Sequence, residues 1–372
     1  MRVEILANDR ASFIRPMADG LRRMLADCGA VPTVHHDGLS NLMMRQKPDF
    51  SSARSLAGST FRLAQSRRSF EEFTARLEGA DLIVVVANVP GSFSPGLMPN
   101  VELLRARFPE VPIVNYDLHY LPTLDSWGRY LLKGERTQLA AEDLRVFDKG
   151  QFGLERYDWY LMASVGTEVP LPPGPHPYSL IGLDIDDGTL FPDQRGQFRA
   201  LIDFEQNRWQ YPEFRKVQLE ALELAGVEYE VLQGSYSIEE IRAIYRRTSI
   251  YFLASSEAFG FPICELQACG SLVFTPDMYW PASHWLGDDY YVKREPSLSP
   301  NFVLYENDPN RLADRIRIAA RDADPAQVRA NMERYQPALL HGDRSVLGNF
   351  LDRVSSGAIH SRLHREHAAV GR

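Results

Sequence analysis

The sequence predicts an α/β protein with two Rossmann-like, doubly wound domains, in which parallel strands alternate with helices. Three observations support this prediction. Residues 2–35 have the pattern of a strand, a helix and a second strand. Short apolar runs typical of buried parallel strands recur in both halves of the chain. The length of 372 residues suits two domains, each with a core of its own.

Residues 1–168 are predicted to form the N-terminal domain. Its first helix is amphipathic and stops at Gly29, a residue type that commonly ends helices. Asp81 to Ala87 is the clearest parallel-strand run of this half, and a Pro/Gly-rich loop follows it. Further strands are predicted at 2–7, 31–35, 111–116 and 158–164.

A proline-rich segment, residues 169–179, is predicted to link the domains, because its prolines exclude a helix or a central strand. The C-terminal domain is predicted over residues 180–340, and residues 341–372 as a final helix with a frayed tail. Strands of the C-terminal domain are predicted at 198–204, 229–233, 250–254 and 272–276.

Composition narrows the class of protein. The net charge of −8 argues against a nucleic-acid partner bound mainly through phosphates. No apolar run reaches transmembrane length, and the first residues read as a strand rather than a signal peptide. The three cysteines lie in helical patterns and show no metal-ligand spacing. We therefore expect a cytoplasmic protein with reduced thiols and no bound metal.

The stretch from Ser255 to Gly270 is the most informative part of the chain. It follows an apolar strand, contains a glycine-bearing loop, and continues into a helix with Pro262 at its first position and Gly270 at its end. Such a strand, loop and helix direct unpaired backbone N–H groups and the positive end of the helix dipole at a ligand. The geometry favours an anion, above all a phosphate.

Two glutamates, Glu257 and Glu265, stand eight positions apart on either side of a Phe-Gly-x-Pro turn. This string resembles the signature of the retaining nucleotide-sugar glycosyltransferases of the GT-B fold, the group 1 type. The matching residues are Glu257, Phe259, Gly260, Pro262, Glu265, Ala268 and Gly270. Taken without the rest of the string, the pair also suits a first-turn glutamate that stabilises a helix and a loop glutamate in solvent.

The resemblance implies a GT-B architecture, with two domains facing across a cleft and a C-terminal helix that packs back on the N-domain. It implies transfer of a sugar from a nucleoside-diphosphate sugar to a glycan, a lipid-linked or another hydroxyl acceptor with retention of configuration. The nucleotide sugar is then a substrate, and no further cofactor is expected. No Asp-x-Asp metal motif follows a strand, so we expect protein donors to stabilise the leaving diphosphate.

The resemblance also assigns donor-binding residues in the C-terminal domain. Glu265 is expected to bind the ribose hydroxyls and Glu257 the transferred sugar. Arg208, in the loop after a predicted strand, is expected to clamp the diphosphate together with Lys216, for which Arg215 is the alternative. The backbone that completes the phosphate site belongs to Phe259, Gly260, Phe261, Pro262 and Ile263.

In the N-terminal domain, Asp117 and His119 follow a predicted buried strand. The carboxyl ends of such strands carry the ligands of doubly wound sheets. Because a histidine of this region contacts the donor sugar in the resembling family, His119 is the first catalytic candidate of this domain and Asp117 the second, beside Glu257 of the C-terminal domain. A turn aspartate and a surface histidine remain the simpler interpretation.

The acceptor side offers two interpretations. Residues 46–76 interleave arginines with phenylalanines, which suits either an anionic acceptor with peripheral attachment to the inner face of the membrane, or a solvated helix face.

Two other functions stay open. One is a donor hydrolase, epimerase or phosphorylase of the same fold. The other is a scaffold subunit, suggested by the glycine-free first loop at 8–12 and by the irregular Arg/Lys spacing.

Overall fold

The structure is a computed structural model that describes residues 1–7, 13–36, 68–86, 101–118, 157–163, 177–193, 197–204, 212–253, 260–276 and 299–361. The chain divides into two compact units. It passes from unit 1 to unit 2 between residues 183 and 184, and returns to unit 1 between residues 341 and 342.

The described strands and helices alternate along most of the chain. The strands are β1 (Arg2–Leu6), β2 (Val31–His35), β3 (Leu82–Val86), β4 (Ile113–Asp117), β5 (Trp159–Met162), β6 (Tyr178–Leu180), β7 (Arg199–Ile202), β8 (Glu228–Val231), β9 (Ile250–Phe252), β10 (Leu272–Pro276) and β11 (Phe302–Tyr305). The helices are α1 (Ile14–Asp27), α2 (Val101–Arg107), α3 (Pro212–Ala225), α4 (Ile238–Arg247), α5 (Phe261–Ala268), α6 (Pro309–Asp322), α7 (Pro325–Tyr335), α8 (Pro337–His341) and α9 (Arg344–Ser355). A further helical stretch covers 68–75.

Unit 1 contains a six-stranded sheet in the order β2-β1-β3-β4-β5-β6, and every pair of neighbours is parallel. All five residues of β3 and of β4 are buried, as expected where both faces of a parallel sheet are covered. Leu6, Phe73 and Ile83 belong to one core cluster of this unit.

Unit 2 contains a five-stranded parallel sheet in the order β11-β10-β9-β7-β8. The chain moves from β7 to β8 on one side and then places β9 on the other side of β7. The direction of winding therefore reverses between β7 and β9. In open α/β sheets such a reversal opens a crevice at the carboxyl ends of the two strands, where ligands bind.

The last described helix belongs to the first unit. α9 packs against α1 and β6, and its Leu347, Phe350 and Leu351 are buried. The Asp343 N–H donates to the Ile181 carbonyl over 2.7 Å, and Arg344 pairs with Asp27 over 2.8 Å. The predicted fold class, two parallel-sheet α/β domains with a returning helix, is confirmed.

The domain border differs from the predicted one. Tyr178–Leu180, at the end of the predicted linker, is strand β6 and pairs in parallel with β5. The sheet of unit 1 therefore extends past residue 180, and the chain leaves the unit at residue 183. This strand is hard to predict from the sequence, because the prolines directly before it favour a linker. The proline-rich residues 169–176 lie outside the described residues.

The described part of the basic and aromatic segment is an amphipathic helix of unit 1. Phe70 and Phe73 are buried in the core, and Arg68 is exposed and pairs with Glu72 one turn away. For residues 68–76 this favours the interpretation as a solvated helix face. Residues 46–67 lie outside the described part. No helix in the described ranges is long and apolar enough to cross a membrane.

Candidate functional site

Helix α5 begins at an N-cap residue that has no side chain. Its N-cap is Gly260, in an extended conformation, and Pro262 lies in the first turn. The first backbone bond of the helix runs from the Cys264 N–H to the Gly260 carbonyl. The N–H groups of Phe261 and Ile263 precede it, and the N-cap glycine has no side chain to accept a hydrogen bond from them. Such a helix start, after the central strand β9, is suited to an anion.

The other end of α5 is fixed by Gly270, whose φ of +85° lies in the left-handed region. The prediction that this glycine ends the helix is confirmed. Except for Pro262, every residue of α5 is buried, so the packing of the helix sets the position of its first turn.

Arg215 lies at the carboxyl end of β7, beside β9. Its Nη2 donates to the carbonyl of Asp203 over 2.8 Å and to that of Phe204 over 3.4 Å. The Asp203 N–H in turn donates to the Phe252 carbonyl of β9 over 3.2 Å. Arg215 is half-buried, whereas Lys216 is exposed. Of the two cations left open by the sequence, Arg215 is the one that lies at the point where the winding reverses.

Glu265 lies about one turn into α5, and only 9% of its side chain is exposed. Arg242 of α4 donates to its Oε1 through both Nε and Nη2, over 2.9 and 2.8 Å. The remaining nitrogen, Nη1, donates to Asp187 Oδ2 over 2.5 Å and to Thr189 Oγ1 over 2.8 Å. Burial raises the pKa of Glu265, and Arg242 opposes that rise.

Sequence reasoning missed Arg242. A signal was present: Ile238, Arg242 and Tyr245 follow helical spacing along α4, and Arg242 and Tyr245 are buried. A cation among apolar residues on one helix face predicts a buried anion as its partner, because buried charges are almost always paired.

Asp117 ends β4 in unit 1 and is buried, with 3% of the residue exposed. Its Oδ1 accepts the Leu118 N–H over 2.6 Å, and the Asn115 side chain also bonds to it. Burial outweighs both bonds and raises the pKa of Asp117 to about 7.

Comparison with solved structures identifies the architecture. LpCGTa, solved in complex with UDP, aligns over 95% of this chain and 99% of its own, with 12% identity and a TM-score of 0.51. The chain has the GT-B fold. The glycotransferase of kitacinnamycin (12% identity, 95% and 98% covered, TM-score 0.48) and Arabidopsis thaliana UGT89C1 complexed with UDP-L-rhamnose (13%, 95% and 98%, 0.47) also align.

Sequence-level comparisons give no family. No family model matches the chain. No curated protein matches it either.

The predicted site residues are distributed over both units of the GT-B fold. Unit 2 contains the N-cap Gly260, Phe261, Pro262, Ile263 and Glu265 of α5, and Lys216 of α3. Asp117 lies in unit 1. Glu257, Phe259, Arg208 and His119 lie outside the described residues, and their roles stay predictions. No group of three His, Cys, Asp or Glu side chains that could ligate a metal occurs in the described ranges.

The titration of Asp117 gives a test of its environment. Its folded pKa of about 7 lies above the unfolded value of about 3.9. The folded protein therefore keeps a proton that the unfolded chain releases between these pH values. This contribution to stability is complete below about pH 4 and is lost as pH rises to about 7, by about 1.4 kcal/mol per pH unit.

Asp117→Asn removes the titrating proton and keeps the shape of the side chain. We expect the free energy of unfolding of the variant, minus that of the wild type, to increase as pH rises from about 4 to about 7. Above about pH 7 this difference should be constant. Urea unfolding at a series of pH values measures this difference. A difference that does not change with pH would show that Asp117 is not buried in this way.

Proposed function

We propose that this protein is a glycosyltransferase that moves a sugar from a nucleoside-diphosphate sugar to a hydroxyl acceptor with retention of configuration. One observation carries the proposal: the start of α5, whose N-cap glycine has no side chain, and the guanidinium of Arg215 lie at the carboxyl ends of β9 and β7, where the winding reverses. The GT-B fold supports it at the level of architecture.

In the proposed complex the diphosphate lies on unit 2. The Phe261 and Ile263 N–H groups and the Arg215 side chain bind its oxygens, with Arg208 as a further cation. As the bond to the sugar breaks, negative charge grows on the leaving diphosphate. Donors that are already in place stabilise this charge without reorganisation, and charge-assisted bonds from arginine are strong.

The two glutamates of the signature bind the nucleoside and the transferred sugar through hydrogen bonds. Glu265 accepts hydrogen bonds from the ribose hydroxyls, and Glu257 from hydroxyls of the transferred sugar. Among the described residues, the Oε2 of Glu265 makes no hydrogen bond, so it can accept one from a ribose hydroxyl. A carboxylate near a diphosphate is favourable in this role because it binds hydroxyl donors and not the anion itself.

Retention is the finer part of the proposal and rests on the resemblance of the string around Glu257 and Glu265 to the signature of the retaining GT-B glycosyltransferases. The acceptor hydroxyl attacks from the face that the diphosphate leaves, and the leaving phosphate takes the proton of the hydroxyl.

The donor site is tested by nucleotide binding. We expect one of UDP, GDP, ADP or dTDP to bind the wild type in isothermal titration. Arg215→Met should weaken binding about 10- to 100-fold, since a hydrogen bond to a charged group is worth about 1.5–3 kcal/mol. Lys216→Met is the matched control, because this neighbouring cation is exposed, and we expect it to leave the affinity within about twofold.

Two results would contradict the donor site. Absence of binding by every nucleotide at millimolar concentration would overturn the transferase proposal. Equal losses in the two variants would show that general charge, and not the position of Arg215, governs binding.

The stereochemistry needs a separate measurement. With an α-linked donor of the base identified by binding, the proton NMR spectrum of the product should show an α linkage. A β-linked product would overturn retention and leave transfer itself intact.

A further inference from the structure

Arg242 connects the ribose-binding candidate to another segment of unit 2. On one side it donates two hydrogen bonds to a single oxygen, Oε1 of Glu265. On the other it donates to Asp187 and Thr189. Only 8% of the Arg242 side chain is exposed. One guanidinium thus lies between two carboxylates, with little access to water.

The hydrogen bonds that Arg242 already makes limit the roles that it can have. Each of its three nitrogens already donates to a protein oxygen. This bonding leaves Arg242 poorly placed to bind a diphosphate. Its strongest effect falls on Glu265, because a carboxylate with so little exposure needs a partner charge to remain ionised.

The two bonds to Oε1 also fix the direction of the carboxylate. Two donors of one planar guanidinium converge on Oε1 and hold this oxygen against Arg242. With Oε1 occupied, Oε2 is the oxygen left for a ligand, and among the described residues it has no hydrogen-bond partner. A ribose hydroxyl would then meet an acceptor that is charged and already oriented.

We propose that Arg242 is a positioning residue of the nucleotide site: it keeps Glu265 ionised and turned so that Oε2 accepts the ribose hydroxyls, while Asp187 and Thr189 hold Arg242 in place. This inference rests on the proposed function, since it assumes that a nucleotide binds at α5. It adds two residues, Arg242 and Asp187, that the glutamate signature does not contain.

Asp187 brings a second segment into the site. It lies just after the chain enters unit 2, in a stretch that Arg246 and Arg329 also bind. Arg246 donates to the Thr189 carbonyl over 3.0 Å, and Arg329 donates to Asp186 over 2.7 Å and to the Leu190 carbonyl over 2.6 Å. The Asp187 side of Arg242 is therefore anchored to a fixed part of unit 2, as a positioning role requires.

The test compares ribose and deoxyribose nucleotides. The full-length protein is titrated with the ribonucleoside diphosphate that binds most tightly among UDP, GDP and ADP, and with its 2′-deoxy and 3′-deoxy forms. We expect the wild type to prefer the ribose form by about tenfold or more, the value of a hydrogen bond to a charged acceptor. Arg242→Met should reduce this preference to less than about twofold, with little change in the affinity for the deoxy forms.

Two further variants sharpen the result. Arg242→Lys keeps the charge but loses the paired geometry, so part of the preference should return. Arg247→Met is the matched control on the same helix, because Arg247 pairs with Glu230 over 2.6 Å and not with Glu265. It should keep the full preference. The deoxy affinity reports on folding in every variant, since a merely unfolded protein would lose both forms together.

The outcomes separate the inference from the proposed function. If no nucleotide binds the wild type, the proposed function fails. If the wild type prefers ribose and Arg242→Met prefers it equally, the inference is overturned and the donor site stands. Should Arg242→Met fail to fold, Asp187→Asn decides: we expect a partial loss of the preference, and an unchanged preference overturns the inference.

Discussion

Gly270→Ala is expected to lower the free energy of unfolding of unit 2 by about 3–5 kcal/mol. Two costs add. Gly270 has a φ of +85°, a conformation that costs a residue with a side chain about 1 kcal/mol or more. A Cβ at this position would also lie 2.6 Å from Pro325 Cβ and 2.8 Å from both its Cα and its carbonyl oxygen. These are largely backbone atoms at the start of α7, so they cannot rotate away.

Gly226→Ala is the matched control for this prediction. Gly226 also lies in unit 2 and has a φ of +68°, but no heavy atom lies within 4 Å of the position of an added Cβ. Only the backbone cost applies, and we expect a loss of about 1 kcal/mol. Urea unfolding followed by circular dichroism measures both variants. Similar losses would contradict the close contact between Gly270 and Pro325.

Asp158→Ala is expected to destabilise unit 1 by about 3–5 kcal/mol. Arg105 donates to Asp158 through Nη1, 2.9 Å from Oδ2, and that oxygen also accepts the Ile113 N–H over 2.8 Å. The Arg105 side chain is 3% exposed and that of Asp158 is fully buried. Removing the carboxylate leaves a buried cation without its counter-charge and a backbone donor without its acceptor. Both are costly.

Two comparisons isolate the cost of the buried charge in Asp158→Ala. Glu78→Ala removes a partner of Arg107 on the surface of the same unit, where both side chains are largely exposed, and should cost less than about 1 kcal/mol. The double variant Arg105→Met/Asp158→Leu removes both charges and should be more stable than Asp158→Ala alone. Thermal and urea unfolding measure all three. A double variant less stable than the single one would contradict this explanation. It would show that the ion pair itself stabilises unit 1, and that the charge left on Arg105 does not account for the loss.

The fold could be predicted because its signals are local. The apolar run that forms β3 and the glycines after α1 and α5 each act within a few residues. Gly29 and Gly270 both have positive φ, as their place at helix ends predicts. Strand β6 was missed because three residues after a run of prolines carry little local signal, and its pairing with β5 is a contact made in the folded sheet.

The candidate site was predictable only in part, for the same reason. The start of α5 is encoded in the local string from Gly260 to Ile263. The hydrogen-bond partners of Arg242, Glu265 and Asp187, are 23 and 55 residues away along the chain, so no spacing in the sequence predicts these contacts. The choice between Arg215 and Lys216 likewise depends on which face of α3 meets the end of β7. That face is set by packing and not by the order of the two residues.

The order of synthesis gives the returning helix a further consequence. Among the described residues, unit 2 is one stretch from 184 to 341, whereas unit 1 needs both the first part of the chain and the segment that begins at residue 342. On the ribosome, unit 2 can therefore fold as soon as it emerges, while unit 1 waits with the surfaces of α1 and β6 uncovered. A nascent chain that ends before Leu347, Phe350 and Leu351 leaves that apolar surface open to chaperones and proteases.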